Sequence, residues 1–250
     1  AYLVLGMANT KLAQYDKAIA YLNKAINLNP DLPKAHSPLG LSLMKVGRFE
    51  EAAVALSKTK TDDPNYPNAQ SNLGQVFWKL KQYPKAINAL MKSIKLRPNL
   101  TTSYINLGSI YTTLGNNSQA IYYLKEAIKS NPKNPEARHN LGLVYEIVGR
   151  YQDAIDEYRA VIRLSPNNPD IYYNLGWALI ESERYIEALV PLKKAILLNP
   201  ENTNAQYSLG WVYGELNRYE EAIAALKEVL RLDSSHLEAG IRLNVMQNTI

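Results

Sequence analysis

The chain contains no cysteine. That excludes disulfides, thiolate nucleophiles and cysteine metal sites together, and it fits a reducing compartment. Histidine is scarce too. His36, His139 and His236 lie far apart, and none pairs at helical spacing with a second ligand. No metal site is expected. No apolar run approaches the roughly 20 residues needed to cross a bilayer, and no secretory leader is visible. Membrane insertion is not expected, and a cytoplasmic location is. There is no initiating methionine. The chain opens at Ala1 inside a helical pattern, and this reads as an excerpt of a longer protein.

The 250 residues are 46% apolar and 20% charged, the composition of a folded chain. The net charge of +5 is uneven. Residues 1–100 carry 14 Lys+Arg against 6 Asp+Glu, and residues 101–250 carry 14 against 17. A basic end and a mildly acidic end point to a polar partner lying in one direction, or to stacking of one molecule on another.

The dominant feature is an internal repeat. Glycine recurs every 34 residues at Gly6, Gly40, Gly74, Gly108, Gly142, Gly176 and Gly210, each preceded by leucine. Alanine keeps the same step at Ala18, Ala52, Ala86, Ala120, Ala154, Ala188 and Ala222. An aromatic stands three residues earlier at Tyr15, Phe49, Tyr83, Tyr151, Tyr185 and Tyr219, with Asn117 the exception. Proline closes the units at Pro30, Pro64, Pro98, Pro132, Pro166 and Pro200. Each unit reads as two helices. From Leu141 to Tyr145 apolar side chains fall four apart on one face, and Ala154, Ile155, Tyr158 and Ile162 trace a matching stripe. Gly142 and Ala154 let the helices approach closely. Gly149 can take the left-handed conformation that ends the first helix. Proline before the next unit disfavours continued helix, and Pro33, Pro67, Pro135 and Pro169 suit the first helical turn.

The order Leu-Gly, aromatic, Ala, Pro at this period resembles the tetratricopeptide repeat. The resemblance covers essentially the whole chain. It implies an all-α fold: a right-handed superhelical α-solenoid of antiparallel helix pairs. As a single solenoid over 1–250, its repeats fall at 1–32, 33–66, 67–100, 101–134, 135–168, 169–202 and 203–236. Residues 237–250 then form a terminal capping helix, with Asn244 where glycine would recur. Repeat 33–66 is the weakest, with Thr59, Lys60 and Asp62 at apolar positions of its second helix. Pro38 falls early in a helix and interrupts little. Pro191 falls inside one and should bend it.

The family is a peptide- and protein-binding scaffold, and the resemblance implies that first helices line a concave face. Three columns lie on them. Lys11, Lys45 and Lys79 follow their glycines by five residues, and the column continues as Thr113, Ile147, Glu181 and Glu215. They read either as solvated lysines or as a ladder for acidic peptide segments. Asn72, Asn106, Asn140 and Asn174 precede their glycines by two residues. Their amides can hold an extended backbone. The column resembles the asparagine ladder of O-linked N-acetylglucosamine transferases, and fold preference explains it nearly as well. Tyr173/Trp177 and Tyr207/Trp211 repeat one unit apart, with tryptophan where the family usually has asparagine. They form an apolar anchoring patch, pack on one another, or do both.

Catalytic groupings are missing: there is no GxGxxG, GxxxxGK[ST], HExxH or GxSxG. Asp153, Asp156 and Glu157 sit where they favour the helix dipole and stay in water. The Lys-Asn-Asn-Lys-Arg clamp with which some relatives hold chaperone tails fails in every register on its basic members. The basic isoelectric point raises nucleic acid, but the stacking stripe it needs is not evident. The expected function is a protein-interaction scaffold binding an extended peptide, with no enzyme activity and no cofactor. Two alternatives stand beside it: a substrate-recruiting arm of a larger, glycosyltransferase-like enzyme, and a module self-associating through its solenoid ends.

Overall fold

The computed structural model describes residues 1–30, 32 and 34–248. The expected helix-opening proline Pro33 and the last two positions, Thr249 and Ile250, lie outside the described residues. The chain divides into two compact units, Ala1–Pro132 and Lys133–Ile250. The described part of unit 1 holds α1 (Tyr2–Lys11), α2 (Tyr15–Leu28), α3 (His36–Lys45), α4 (Phe49–Ser57), α5 (Tyr66–Lys79), α6 (Tyr83–Leu96), α7 (Thr101–Thr113) and α8 (Asn117–Ser130). That of unit 2 holds α9 (Pro135–Ile147), α10 (Tyr151–Leu164), α11 (Pro169–Glu181), α12 (Tyr185–Leu198), α13 (Thr203–Glu215), α14 (Tyr219–Leu232) and α15 (Leu237–Gln247). The described residues contain no strand.

Each element starts and stops for local chemical reasons. The aromatic column, with Asn117, supplies the first residue of every second helix. Ahead of it, Arg48, Arg150, Arg184 and Arg218 reach carboxylates three residues on, at Glu51, Asp153, Glu187 and Glu221. Those carboxylates lie in the first helical turn, where the dipole favours them. First helices of unit 2 have side-chain caps. Asn134, Asn168 and Asn202 accept from the backbone N–H of Ala137, Asp170 and Ala205, and His236 Nδ1 does the same for Ala239.

The turn inside each pair carries one left-handed residue at a fixed position. Gly149 takes it as expected, at φ 72°, and so do Gly47 and Gly115. The same conformation holds at Ala13, Lys81, Glu183 and Asn217, where no glycine marks it. The Arg150 N–H donates to the Tyr145 carbonyl at 2.8 Å and the Gly149 N–H to that of Glu146 at 2.9 Å, closing the helix end.

Packing follows the glycine column. A Cβ built on any of its seven members would lie within 3.0 Å of the facing helix. The facing atoms belong to Leu22, Leu56, Leu90, Leu124, Tyr158, Leu192 and Leu226. These residues are fully buried, with the alanine column beside them. One detail of the expected stripe shifts: Val161 is buried, whereas Ile162 is partly exposed. Glu157 also departs from expectation. It is not simply solvated but forms a half-buried pair with Arg138 at 2.8 Å.

Within unit 1, first helices of successive pairs touch, α1 with α3, α3 with α5 and α5 with α7; in unit 2, α11 touches α13. Second helices within a unit make no comparable contact. The weak repeat has a visible cost. Helix α4 has 9 residues where α2, α6 and α8 have 14. Beyond its end Thr59 and Asp63 are buried, with Thr59 Oγ1 and Asp63 Oδ2 lacking partners. Beside the short helix lies a pocket of about 260 Å³ lined by Ile26, His36, Leu39, Leu43 and Val54 among others. Pro38 sits in the first turn of α3, which runs on to Lys45. Helix α12 continues through buried Pro191, which has no N–H to donate to the Glu187 carbonyl.

Candidate protein-binding face

The three lysines are the last residues of α1, α3 and α5, and all are exposed. A cation there meets the negative end of the helix dipole, so the ladder has a local reason for its place. Lys79 Nζ also lies 5.6 Å from the Trp78 ring centroid. In unit 2 the same helix-ending position holds Ile147, Glu181 and Glu215. A carboxylate at that end opposes the dipole, and other contacts hold it. Glu215 accepts from Trp211 Nε1 at 2.8 Å and faces Arg242 at 3.6 Å. Glu181 accepts from the Tyr151 hydroxyl at 3.2 Å.

The aromatic pairs do come together. Trp177 and Trp211 meet edge to face, with ring centroids 5.9 Å apart at 62°. Both remain half-buried. The Arg242 guanidinium lies 5.2 Å from the Trp211 ring centroid, and Tyr207 stacks on His236 at 5.0 Å. Tyr173 is half-buried, and burial raises its phenol pKa. Mutual packing and a partly open apolar surface therefore coexist in unit 2.

The asparagines differ from one another. Asn72, Asn140 and Asn174 are half-buried, whereas Asn106 is buried with its Nδ2 unpartnered. Asn174 Nδ2 meets His139 Nε2 at 3.0 Å, which ties α11 to α9. Burial lowers the His139 pKa, with Asp170 opposing. His139 thus belongs to this network and His236 to a helix cap. The described residues hold no cluster of three His, Cys, Asp or Glu side chains suited to a metal. None of their helices is long and apolar enough to cross a membrane.

Sequence reasoning missed one group. Tyr158 of α10 is fully buried, and its hydroxyl makes no hydrogen bond of good geometry, only a looser approach to Glu146. It lies beside Glu146 of α9, whose Oε1 is buried and likewise without a bond of good geometry. Burial pushes the Glu146 carboxyl up to about 7; the Tyr158 hydroxyl opposes this, and the charge of Glu181 adds to it. Burial raises the Tyr158 phenol as well. The signal was in the columns. Tyr158 stands where six repeats have leucine, and Glu146 where the others have Thr10, Met44, Trp78, Thr112, Ile180 and Gly214.

Fold and columns define a helical-repeat protein of the α-solenoid class. The family model described as the tetratricopeptide repeat protein 21 C-terminal ARM domain matches residues 55–203. Two further tetratricopeptide repeat models match residues 6–47 and 179–239. The chain belongs to the tetratricopeptide repeat family. No curated protein matches it in sequence. Among solved structures it is similar to the C-terminal part of a TPR repeat-containing protein from Cytophaga hutchinsonii. The two share 19% identity at TM-score 0.79, over 95% of this chain and 98% of that one. It is also similar to the APC/C hetero-tetramer Cut9-Hcn1, at 22% identity and TM-score 0.66, over 96% of this chain and 48% of that one. A third is YrrB, described as a TPR protein with an unusual peptide-binding site, at 17% identity and TM-score 0.57, over 87% and 95%.

Proposed function

We propose that this chain is a protein-interaction scaffold that holds an extended segment of a partner against its first helices. The tetratricopeptide fold is in general a non-enzymatic, protein-binding scaffold, and no catalysis by the chain alone is expected. The observation that carries the finer reading is the Trp177–Trp211 contact. Two large rings on touching helices pack edge to face and stay half-exposed. Packed, partly open tryptophan surface of this kind is where interface anchors concentrate. Asn72, Asn106, Asn140 and Asn174 offer amides to a peptide backbone, with buried Asn106 contributing least. Lys11, Lys45 and Lys79 attract acidic residues. The peptide-binding site ascribed to YrrB supports the reading by analogy of fold. A chain without cysteine fits a reducing compartment, and we assign it to the cytoplasm.

The test is a pull-down with the parent chain, followed by amide hydrogen exchange on the complex. Protection on α11 and α13 around Trp177 and Trp211 is the expected result. A partner that protects only α2, α4, α10 or α12, and binds Trp177→Ala/Trp211→Ala as well as the parent, would refute it.

A further inference from the structure

Helix α12 carries apolar side chains on both faces. Only Glu187, Lys193 and Lys194 of its 14 residues are charged. One face, with Ala188, Leu192 and Ala195, is buried where the helix packs against α11 and α13. The opposite face holds Ile186, Val190 and Leu197, which are 73%, 74% and 72% exposed. At 3.6 residues per turn these three fall within about 40° of one another, as a single stripe. Other repeats keep the two ends of that stripe largely polar. Ile186 stands where they have Asp16, Glu50, Pro84, Ser118, Gln152 and Glu220, and Leu197 where four of them have Lys95, Lys129, Arg163 and Arg231. A helix that is apolar all round is normally a covered helix, and a contiguous exposed apolar row marks an interaction surface. A hollow of about 320 Å³ opens beside Ile186, lined also by Tyr185 and Leu216.

We propose that this stripe is a docking surface for α12 of a second copy of the chain, laid antiparallel. The charges on its flank choose the occupant. Glu187 and Lys194 are seven residues apart, so they stand on the same side of the stripe, about 10 Å apart along it. Reversing the helix exchanges their places. In an antiparallel pair with twofold symmetry each Glu187 therefore meets the second copy's Lys194, and the contact is made twice. Parallel pairing would set like charges together. Glu187 faces Arg184 at 2.8 Å and Arg159 at 3.4 Å, yet half of its side chain stays exposed. Lys194 forms no ion pair among the described residues. Lys193, the one charge inside the stripe, holds its ammonium 5.6 Å from the Tyr213 ring centroid. The same pairing brings Ile186 against the second copy's Leu197, for which the hollow beside Ile186 has room. This surface lies on a second helix, so it goes beyond the first-helix reading and does not depend on it.

The test is sedimentation equilibrium of the parent chain. A single helix pair is small beside the ~1,200 Å² of stable interfaces, so dimer should appear as concentration rises toward ~1 mM. Ile186→Ser/Leu197→Asn should weaken dimerisation at least about tenfold. Both side chains are exposed, and other repeats already carry Ser118 and Asn27 there, so this variant should fold. The register is read by disulfide trapping, which the absence of native cysteine makes clean. Ile186→Cys mixed with Leu197→Cys should cross-link under mild oxidation, and neither alone should. In the antiparallel pair the two copies of residue 186 lie about 16 Å apart, too far to bridge. A Ser/Asn variant that dimerises like the parent, or Ile186→Cys cross-linking to itself as fast as to Leu197→Cys, would overturn the proposal. So would a parent that stays monomeric; if that monomer floats with phosphatidylcholine/phosphatidylserine vesicles, the stripe is a membrane surface instead. Trp177→Ala/Trp211→Ala should dimerise like the parent, so the aromatic groove can fail while this site stands.

Discussion

The two units share one repeat but carry it with opposite charge. Unit 1, residues 1–132, has 16 Lys+Arg against 7 Asp+Glu; unit 2, residues 133–250, has 12 against 16. The contrast is sharpest at the last residue of each first helix. Unit 1 puts Lys11, Lys45 and Lys79 there, where the helix dipole favours them. Unit 2 puts Glu181 and Glu215 at the same position, against the dipole, and holds them by contacts with Tyr151, Trp211 and Arg242. A charge that its helix already favours needs no further explanation. A charge placed against its helix needs such contacts to hold it. On the proposed reading, that difference puts the more specialised surface in unit 2.

The largest expected effect tests what the units share. Gly108→Leu in unit 1 and Gly142→Leu in unit 2 should each lose ~1–3 kcal/mol or more by overpacking, measured by urea unfolding. Alanine at the same sites should separate the units. Its Cβ meets Leu124 in one and the Tyr158 ring in the other. A wholly buried planar ring cannot yield by a rotamer change as leucine can, so Gly142→Ala should cost more than Gly108→Ala. Equal costs would remove the distinction.

Acidity should affect unit 2 through Glu146. Its folded pKa of about 7 lies above the ordinary 4.5. Below the ordinary value the carboxyl is protonated in both folded and unfolded chains, and its contribution is fully present. As pH rises toward 7 only the unfolded chain ionises, so that contribution is lost. The loss should total about 2 kcal/mol once partial exposure is allowed for. Glu146→Gln should flatten the pH dependence of the unfolding free energy between 4.5 and 7. A parent chain without that slope would contradict the burial of this carboxyl.

A smaller effect belongs to the turns. Lys81→Gly in unit 1 and Glu183→Gly in unit 2 relieve left-handed backbone strain at φ 57°. Each should gain up to about 1 kcal/mol in thermal unfolding. The smallest effect is at the lysines. Lys45→Ala with Lys79→Ala should leave stability nearly unchanged, yet slow association with an acidic partner and flatten its salt dependence.

How much of this was legible in the sequence depends on the period. The glycine, alanine and aromatic columns were visible because every helix pair needs the same close approach. The start of α15 at Leu237 and the weakness of α4 could be read for the same reason. The left-handed turns were only partly visible. Ala13, Lys81 and Glu183 adopt the conformation because the helix ends on either side enforce it, not because their side chains favour it. Glu146 and Tyr158 escaped because each departure looks like drift when its column is read alone. Only packing shows that they face one another. The contact of Trp177 with Trp211 could be anticipated from spacing, whereas its enclosure by Glu215 and Arg242 depended on where α15 docks.

The central claim is that unit 2 anchors a partner through its tryptophans. The measurement that tests it most directly is the dissociation rate of a captured partner from the parent and from Trp211→Ala, by surface plasmon resonance. Loss of a true anchor costs ~2 kcal/mol or more. The complex should therefore dissociate about thirtyfold faster, with its association rate little changed. Equal dissociation rates for parent and variant would contradict the claim.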